Sequence, residues 1–297
     1  MNLQTDSFLE YLKSERNYSP ATIESYAKDL AEFRNFLEGQ RLEPQWADVK
    51  ADDVREWVIY MLDEQKLTAS SVNRKLSALR TCYKYLRKME VVKANPMEKV
   101  VAPKKKRPLP YFVRESDMDK LLELTAEDKT FKGVRDRLIL LMFYETGIRR
   151  AELLGLTDAS VDLKAKQIKV TGKRNKQRIV PFGGELEAGL LAYLDFRKTK
   201  TGLSNAPALF ITEEGKPLNE AQVSRIVKDN LSMVTTMKKR SPHVLRHSFA
   251  TAMLNNKADL TSIQKLLGHE SVATTEVYTH VSFEDLKNEY KNAHPRK

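Results

Sequence analysis

Between Lys93 and Pro110 the chain sets Pro96, Pro103, Pro108 and Pro110 around the run Lys104-Lys105-Lys106-Arg107. Proline has no backbone N–H and a fixed φ, so neither a long helix nor a paired strand continues through such a stretch. The 297 residues are therefore expected to fold in two parts, 1–106 with the basic linker at its end and 107–297. At roughly 150 residues per domain, each part can bury its own core. With 41% hydrophobic and 31% charged residues the chain is neither disordered nor fibrous. It holds no apolar run of the about 20 residues that cross a membrane, so no membrane partner is expected. Met1 to Glu10 lacks the basic-then-apolar export pattern. The single cysteine, Cys82, forms no internal disulfide and no thiolate zinc site, which fits a reducing cytoplasm.

The first part reads as helices. Ser19-Pro20 is an N-cap followed by proline in the first turn. Ile23, Tyr26, Leu30, Phe33 and Leu37 then recur at helical spacing until Gly39. Val54, Trp57, Val58, Met61 and Leu62 mark a second stripe. A further helix, capped by Thr68 or Ser70, carries Val72, Leu76, Leu79, Tyr83 and Leu86 on its apolar side. Arg80, Lys84, Arg87 and Lys88 stand on its other face.

Charge follows the same division. Residues 1–73 hold 8 basic and 14 acidic side chains, whereas 74–106 hold 11 basic and 2 acidic, and the whole chain has a net charge of +11. A basic stripe beginning at Arg74 therefore belongs to a place in the chain, not to average composition. It is either a solvated face or a contact for a polyanion, with nucleic acid ahead of a membrane surface. A helix with an apolar back and a basic front fits the major groove of DNA.

The second part is mixed. Ser116 with Asp119 predicts a capped helix start. Residues 134–146 read as a buried helix stopped by Gly147. Gln167–Val170 and Gln177–Val180 predict two short strands joined by a turn with Gly172, Lys173, Arg174 and Lys176. Helices fill the rest.

Three segments carry candidate chemistry. In Thr146-Gly-Ile-Arg-Arg-Ala-Glu-Leu153, Arg149 stands at the mouth of a helix and can fork two N–H groups onto an anionic oxygen. The bland alternative is an Arg149–Glu152 pair with no wider role. In Ser241-Pro-His-Val-Leu-Arg-His247, His243 and Arg246 share the first turn of a helix, where free N–H groups and the dipole favour an anion. A zinc helix of the metalloprotease type needs Glu after its first His, and Val244 stands there. In Leu267-Gly-His269-Glu-Ser271 through Tyr278-Thr-His280, Gly268 closes a helix and leaves His269 on a loop, while Tyr278 taken alone reads first as a core or surface aromatic. Gly172-Lys173 lacks the upstream Gly and following Ser or Thr of an ATP loop. No acidic cluster of the paired-magnesium type is present, so neither metal nor other cofactor is expected. Such a set can transfer a phosphoryl group through arginines and a side-chain nucleophile, and tyrosine is a suitable, resealable leaving group.

The motifs Thr146–Leu153, His243–Arg246, Leu267–His269 and Tyr278–His280, in this order and at these separations, resemble the tyrosine recombinase (phage integrase) family nearly end to end. The tail from Tyr278 to Arg296 resembles its Xer branch, with Ala252 where Xer proteins often carry His. The resemblance implies a mainly α fold with a small β-sheet: a helical, SAM-like core-binding domain and a mixed α+β catalytic domain closing on duplex DNA. It implies Tyr278 as the nucleophile that forms a 3′-phosphotyrosyl bond, Arg149 and Arg246 as clamps on the scissile phosphate, Lys173 as the acid for the 5′-oxygen, and His243 and His269 as proton-transfer partners. Arg74, Arg80, Lys84, Arg87, Lys104, Lys105, Lys106 and Arg174 are the expected DNA contacts. The partners implied are a duplex recombination site, a homo- or hetero-tetramer with a paralogous recombinase on that site, and a cell-division DNA translocase. The implied task is resolution of chromosome dimers at cell division. A topoisomerase-like enzyme and a non-catalytic DNA-binding regulator are the alternatives. The last helix, with a Ser282–Asp285 cap and apolar Phe283, Leu286 and Tyr290, is expected to dock on a neighbouring subunit or on its own domain.

Overall fold

A computed structural model describes residues 3–40, 44–104, 111–172, 175–199, 208–268, 288 and 290–296. The chain divides into two compact units, Met1–Pro108 and Leu109–Lys297.

Among the described residues the first unit holds four α-helices, α1 (Leu3–Ser14), α2 (Pro20–Glu38), α3 (Ala51–Asp63) and α4 (Ala69–Lys88). Ser19 and Thr68 cap α2 and α4 through their hydroxyls, each accepting an N–H three residues on. The apolar stripes converge as expected, with Phe33, Trp57, Met61, Leu76 and Tyr83 all buried, and α1 adds buried Phe8 and Leu12. Phe33 lies 4.8 Å from Trp57 by ring centroids, and the Tyr83 hydroxyl donates to the Trp46 carbonyl at 3.0 Å. The proline stretch is not structureless throughout. Asn95 caps a short 3-10 helix, Pro96–Lys99, because proline suits a first helical position where its missing N–H has no partner to lose. Lys105 and Lys106 lie outside the described residues.

In the second unit, α5 (Glu115–Ala126) begins one residue before the expected Ser116 cap. Arg114 holds the N-cap position without a side-chain bond, so Ser116 sits inside the first turn. The axis of the unit is α6 (Phe131–Thr146), buried on nearly every side. It packs against α8 (Gly184–Thr199), α9 (Glu220–Leu231) and α10 (Pro242–Asn255). The short α7 (Arg150–Leu154) follows α6 directly, and α11 (Leu260–Leu267) follows α10. Both predicted strands form, as β2 (Gln167–Thr171) and β3 (Gln177–Pro181), paired antiparallel with Val170 opposite Arg178. A two-residue strand, β1 (Val161–Asp162), adds an edge the sequence did not announce, since so short a segment carries no alternation.

The end of the chain docks on its own unit. Tyr290 and His294 stack with centroids 5.0 Å apart and are buried. The His294 ring meets the Tyr144 carbonyl at 3.1 Å, and the Tyr290 hydroxyl meets Glu145 Oε2 at 3.3 Å. Arg296 pairs with Asp119 and Glu185. Ser282, Phe283, Asp285 and Leu286 lie outside the described residues.

Candidate active site

Two left-handed glycines build the site. Gly147 (φ +59°) ends α6, and Gly268 (φ +63°) ends α11. At both places the chain must turn sharply beside packed side chains. A Cβ on Gly147 would stand 2.5 Å from the Phe249 ring and 2.8 Å from Leu267. Only glycine takes this conformation without steric cost.

The turn at Gly147 delivers Arg149 to the N-terminus of α7. Glu152, one turn on, accepts the Arg149 backbone N–H on Oε2 (2.8 Å) and its guanidinium on Oε1 (2.7 Å). The Arg149–Glu152 pair thus exists, and it is not isolated. Arg178 of β3 grips the same carboxylate with Nη1 on Oε1 (2.8 Å) and Nη2 on Oε2 (2.9 Å). Burial alone raises the pKa of Glu152. The hydrogen bonds from Arg178 and Arg149, with the Arg178 charge, bring it down to about 2, so it is ionised at neutral pH.

Arg149 and Arg178 meet a third arginine, Arg246, at the end of α11. Arg178 donates Nε to the Leu266 carbonyl (2.7 Å), Arg246 donates Nη2 to Leu267 (2.7 Å), and Arg149 donates Nη2 to Gly268 (2.8 Å). Three consecutive carbonyls at the negative end of a helix are each held by a different cation. Arg246 also donates Nη1 to the Gly147 carbonyl at 2.6 Å. Burial, then the charge of Arg149, pushes its guanidinium down to about 10, still cationic at neutral pH.

His243 lies in the first turn of α10 on its exposed side, one turn before Arg246. Desolvation, followed by the charges of Arg246, Arg150, His247 and Arg149, lowers its pKa below the ordinary value of 6.5. The imidazole is therefore mostly uncharged at neutral pH. Arg150 is engaged with Ser224 Oγ (2.7 Å) and Glu220 of α9.

The hairpin tip reaches the same cluster. Gly172 N donates to the Lys176 carbonyl at 2.7 Å, and a Cβ at Gly172 would stand 3.2 Å from Glu152 Oε1. Lys173 and Arg174, next in the chain, lie outside the described residues, as do His269 and Tyr278. Among the described residues the fold thus brings together Arg149, Arg246 and His243. It adds Glu152 and Arg178. Glu152 was legible only as half of a local pair, and Arg178 carries no sequence signal beyond its place in a basic hairpin. A cavity of about 690 Å³ lined by Tyr111, Phe112, Arg114, Met233 and Met237, among others, shares no residue with this cluster.

The basic stripe of the first unit is less free than its sequence implies. Arg74 is committed to Asp29, with Nη2 on Oδ1 at 2.8 Å, and to Ser25 Oγ at 2.7 Å. Asp29 is only 1% exposed, and a buried carboxylate needs such partners. Arg80 donates to the Val100 carbonyl at 3.3 Å, and Arg87 pairs with Glu98 at 2.8 Å. Lys84 and Lys104 are exposed.

The phage integrase family pattern matches residues 111–285, and the N-terminal SAM-like domain of phage integrases matches 5–90. The chain is 38% identical over 291 residues to tyrosine recombinase XerC of Staphylococcus epidermidis, covering 98% of this chain and 97% of that protein. The crystal structure of XerA recombinase aligns over 99% of both chains, with a TM-score of 0.50 and 28% identity. XerH site-specific recombinase bound to its difH substrate before cleavage aligns over 96% of this chain and 82% of that one, with a TM-score of 0.69 and 23% identity, a likeness of fold. The chain belongs to the phage integrase family of tyrosine recombinases, enzymes that cut and rejoin DNA at specific sites. No described helix is long and apolar enough to cross a membrane.

Proposed function

We propose that this chain recombines a specific duplex site through a 3′-phosphotyrosyl intermediate, with Tyr278 as nucleophile. The observation that carries the reading is the convergence of Arg149 and Arg246 on consecutive carbonyls at the end of α11, immediately before the segment of His269 and Tyr278. Two fixed guanidiniums there can neutralise the charge that grows on the non-bridging oxygens of a scissile phosphate. The Tyr278 oxygen forms a bond to phosphorus as the bond to the 5′-oxygen breaks. The phenol has an ordinary pKa of about 10, and a cationic pocket favours its ionised form. His243, uncharged at neutral pH, is suited to accept its proton, and His269 to assist. Lys173, which follows Gly172 in the chain, gives a proton to the leaving 5′-oxygen. Attack by a 5′-hydroxyl then reverses these steps and rejoins a strand without ATP, because the phosphodiester energy is kept in the tyrosyl bond.

The likeness to tyrosine recombinase XerC supports resolution of chromosome dimers at cell division. On this reading the chain acts in the cytoplasm as a tetramer on DNA, alone or with a paralogous recombinase, under control of a cell-division DNA translocase. Lys84, Lys104, Lys105, Lys106 and Arg174 serve as phosphate contacts, joined by the outer edges of Arg80 and Arg87. Arg74 contributes chiefly through the fold.

The deciding experiment takes the duplex sequence this protein selects from a random pool and builds it as a nicked suicide substrate. Wild type is expected to give a protein–DNA adduct that resists SDS, and Tyr278→Phe to bind the DNA and give none. An adduct with Tyr278→Phe would overturn the reading.

A further inference from the structure

Glu152 lies buried against Arg149, and one carboxylate beside one guanidinium leaves a pair of no net charge. Coulomb attraction at such a distance is strong in a partly desolvated site. An Arg149 neutralised in this way would be a poor clamp for an anion. The fold resolves this with a second cation. Arg178 occupies both oxygens of Glu152, and its Nε holds the Leu266 carbonyl. All three of its donor directions are satisfied inside the protein, and its side chain is 15% exposed against 37% for Arg149. The trio Arg149–Glu152–Arg178 therefore carries one net positive charge, and Arg149 is the member with an open face.

Arg178 also sets geometry. It comes from β3, directly opposite Val170 in the hairpin whose tip carries Lys173. Its fork fixes the plane of Glu152, and Glu152 fixes Arg149. A Cβ on Gly268 would stand 3.0 Å from Arg178 Nη1, so the guanidinium also sits against the turn that leads to His269. Lysine cannot reproduce two parallel donors and a third that points elsewhere in the same plane.

We infer that Arg178 is a positioning residue for strand cleavage: it balances the charge of Glu152 and orients that carboxylate, so that Arg149 meets the scissile phosphate as an uncompensated, fixed cation. This rests on the proposed role of Arg149. It predicts that Arg178 acts on the rate of the chemical step and not on the capture of DNA.

The test measures single-turnover adduct formation and DNA affinity separately, on the nicked duplex built from the selected sequence. Arg178→Gln is expected to slow adduct formation by about 100-fold, the scale for loss of one preorganised electrostatic element, with affinity unchanged within about threefold. The split between rate and affinity is the readout that mere structural support would not produce, and a double-mutant cycle adds whether the effect runs through Glu152. In a Glu152→Gln background there is no charge left to balance, so adding Arg178→Gln is expected to cost little more. Losses that multiply would overturn the inference, as would an Arg178→Gln protein that cleaves at the wild-type rate. Should Arg178→Gln fail to fold, Arg178→Lys carries the test: a rate reduced by about tenfold with intact affinity supports the inference, and an unchanged rate overturns it. A wild-type protein that forms no adduct would instead sink the underlying role of Arg149, so the two failures are distinguishable.

Discussion

Arg178 and Glu152, 26 residues apart in the chain, form a two-point ion pair with both contacts below 3 Å. The pair joins the hairpin to the N-terminus of α7, and through Arg149 it reaches the end of α11. The cleavage chemistry proposed here depends on that junction holding still while charge develops on a phosphate.

Arg149→Lys is the most direct challenge to the clamp. Lysine keeps the charge but cannot serve Glu152, the Gly268 carbonyl and a phosphate oxygen together. Adduct formation is expected to fall by about 100-fold or more, with DNA affinity nearly kept. Rapid-quench assays beside gel-shift titrations check this; equal losses in both would remove Arg149 from the reacting phosphate.

Gly183 predicts the fate of the tail. A Cβ there would stand 1.9 Å from the Arg296 carbonyl and 3.1 Å from Glu145 Oε2. Both neighbours are held by the fold, so Gly183→Ala must displace the chain end. Hydrogen exchange across residues 290–296 is expected to accelerate while α6 stays protected. Unchanged protection of the tail would contradict the cis docking.

The same tail gives a pH dependence with a definite sign. Burial raises the pKa of Glu145 from 4.5 to about 8, with only partial relief from the Gly183 N–H at 2.9 Å. Its stabilising contribution is full below 4.5 and is lost as the pH rises toward 8. Burial lowers His294 from 6.5 to about 4, so its contribution is full above 6.5 and is lost as the pH falls toward 4. Between 4.5 and 6.5 the two trends oppose each other; from 6.5 to 8 only the Glu145 loss remains. Thermal unfolding across that upper window is expected to show falling stability in wild type and a flatter profile in Glu145→Gln. An identical alkaline fall in the variant would show that another group is responsible.

Arg74 and Lys84 are expected to separate stability from binding. Arg74→Ala removes a partner of buried Asp29 and should lower the urea midpoint while leaving the salt dependence of DNA binding unchanged. Lys84→Ala should do the reverse, reducing the log–log salt slope by about 1. Asp29→Ala is expected to cost about 3 kcal/mol, the lower end for a broken buried pair, because Glu32 still holds Lys75.

Much of the local structure was written in short-range signals. Ser19 through its hydroxyl, and Gly147 and Gly268 through their backbone freedom, mark helix ends where the sequence placed them, and of the two candidate caps Thr68 and Ser70 the fold uses Thr68. The Ser116 cap failed because a serine one residue inside a helix looks the same in sequence as one at its boundary. Arg74 read as an open charge because its partner, Asp29, is 45 residues away on another helix.

The amino-acid order by itself determined the helices, the hairpin, the family and the identity of Arg149, His243 and Arg246 as candidates, since caps, periodicity and motif spacing act within a few residues. Only the tertiary structure decided that three arginines share the carbonyls of Leu266, Leu267 and Gly268, that Arg178 balances Glu152, and that Glu145 lies under Tyr290 and His294. Those relationships join residues 20 to more than 140 positions apart, as with Arg246 and Leu267 or Tyr290 and Glu145, separated by 21 and 145. They are set by burial, where a charge or polar group must find whatever partner the packing brings within reach.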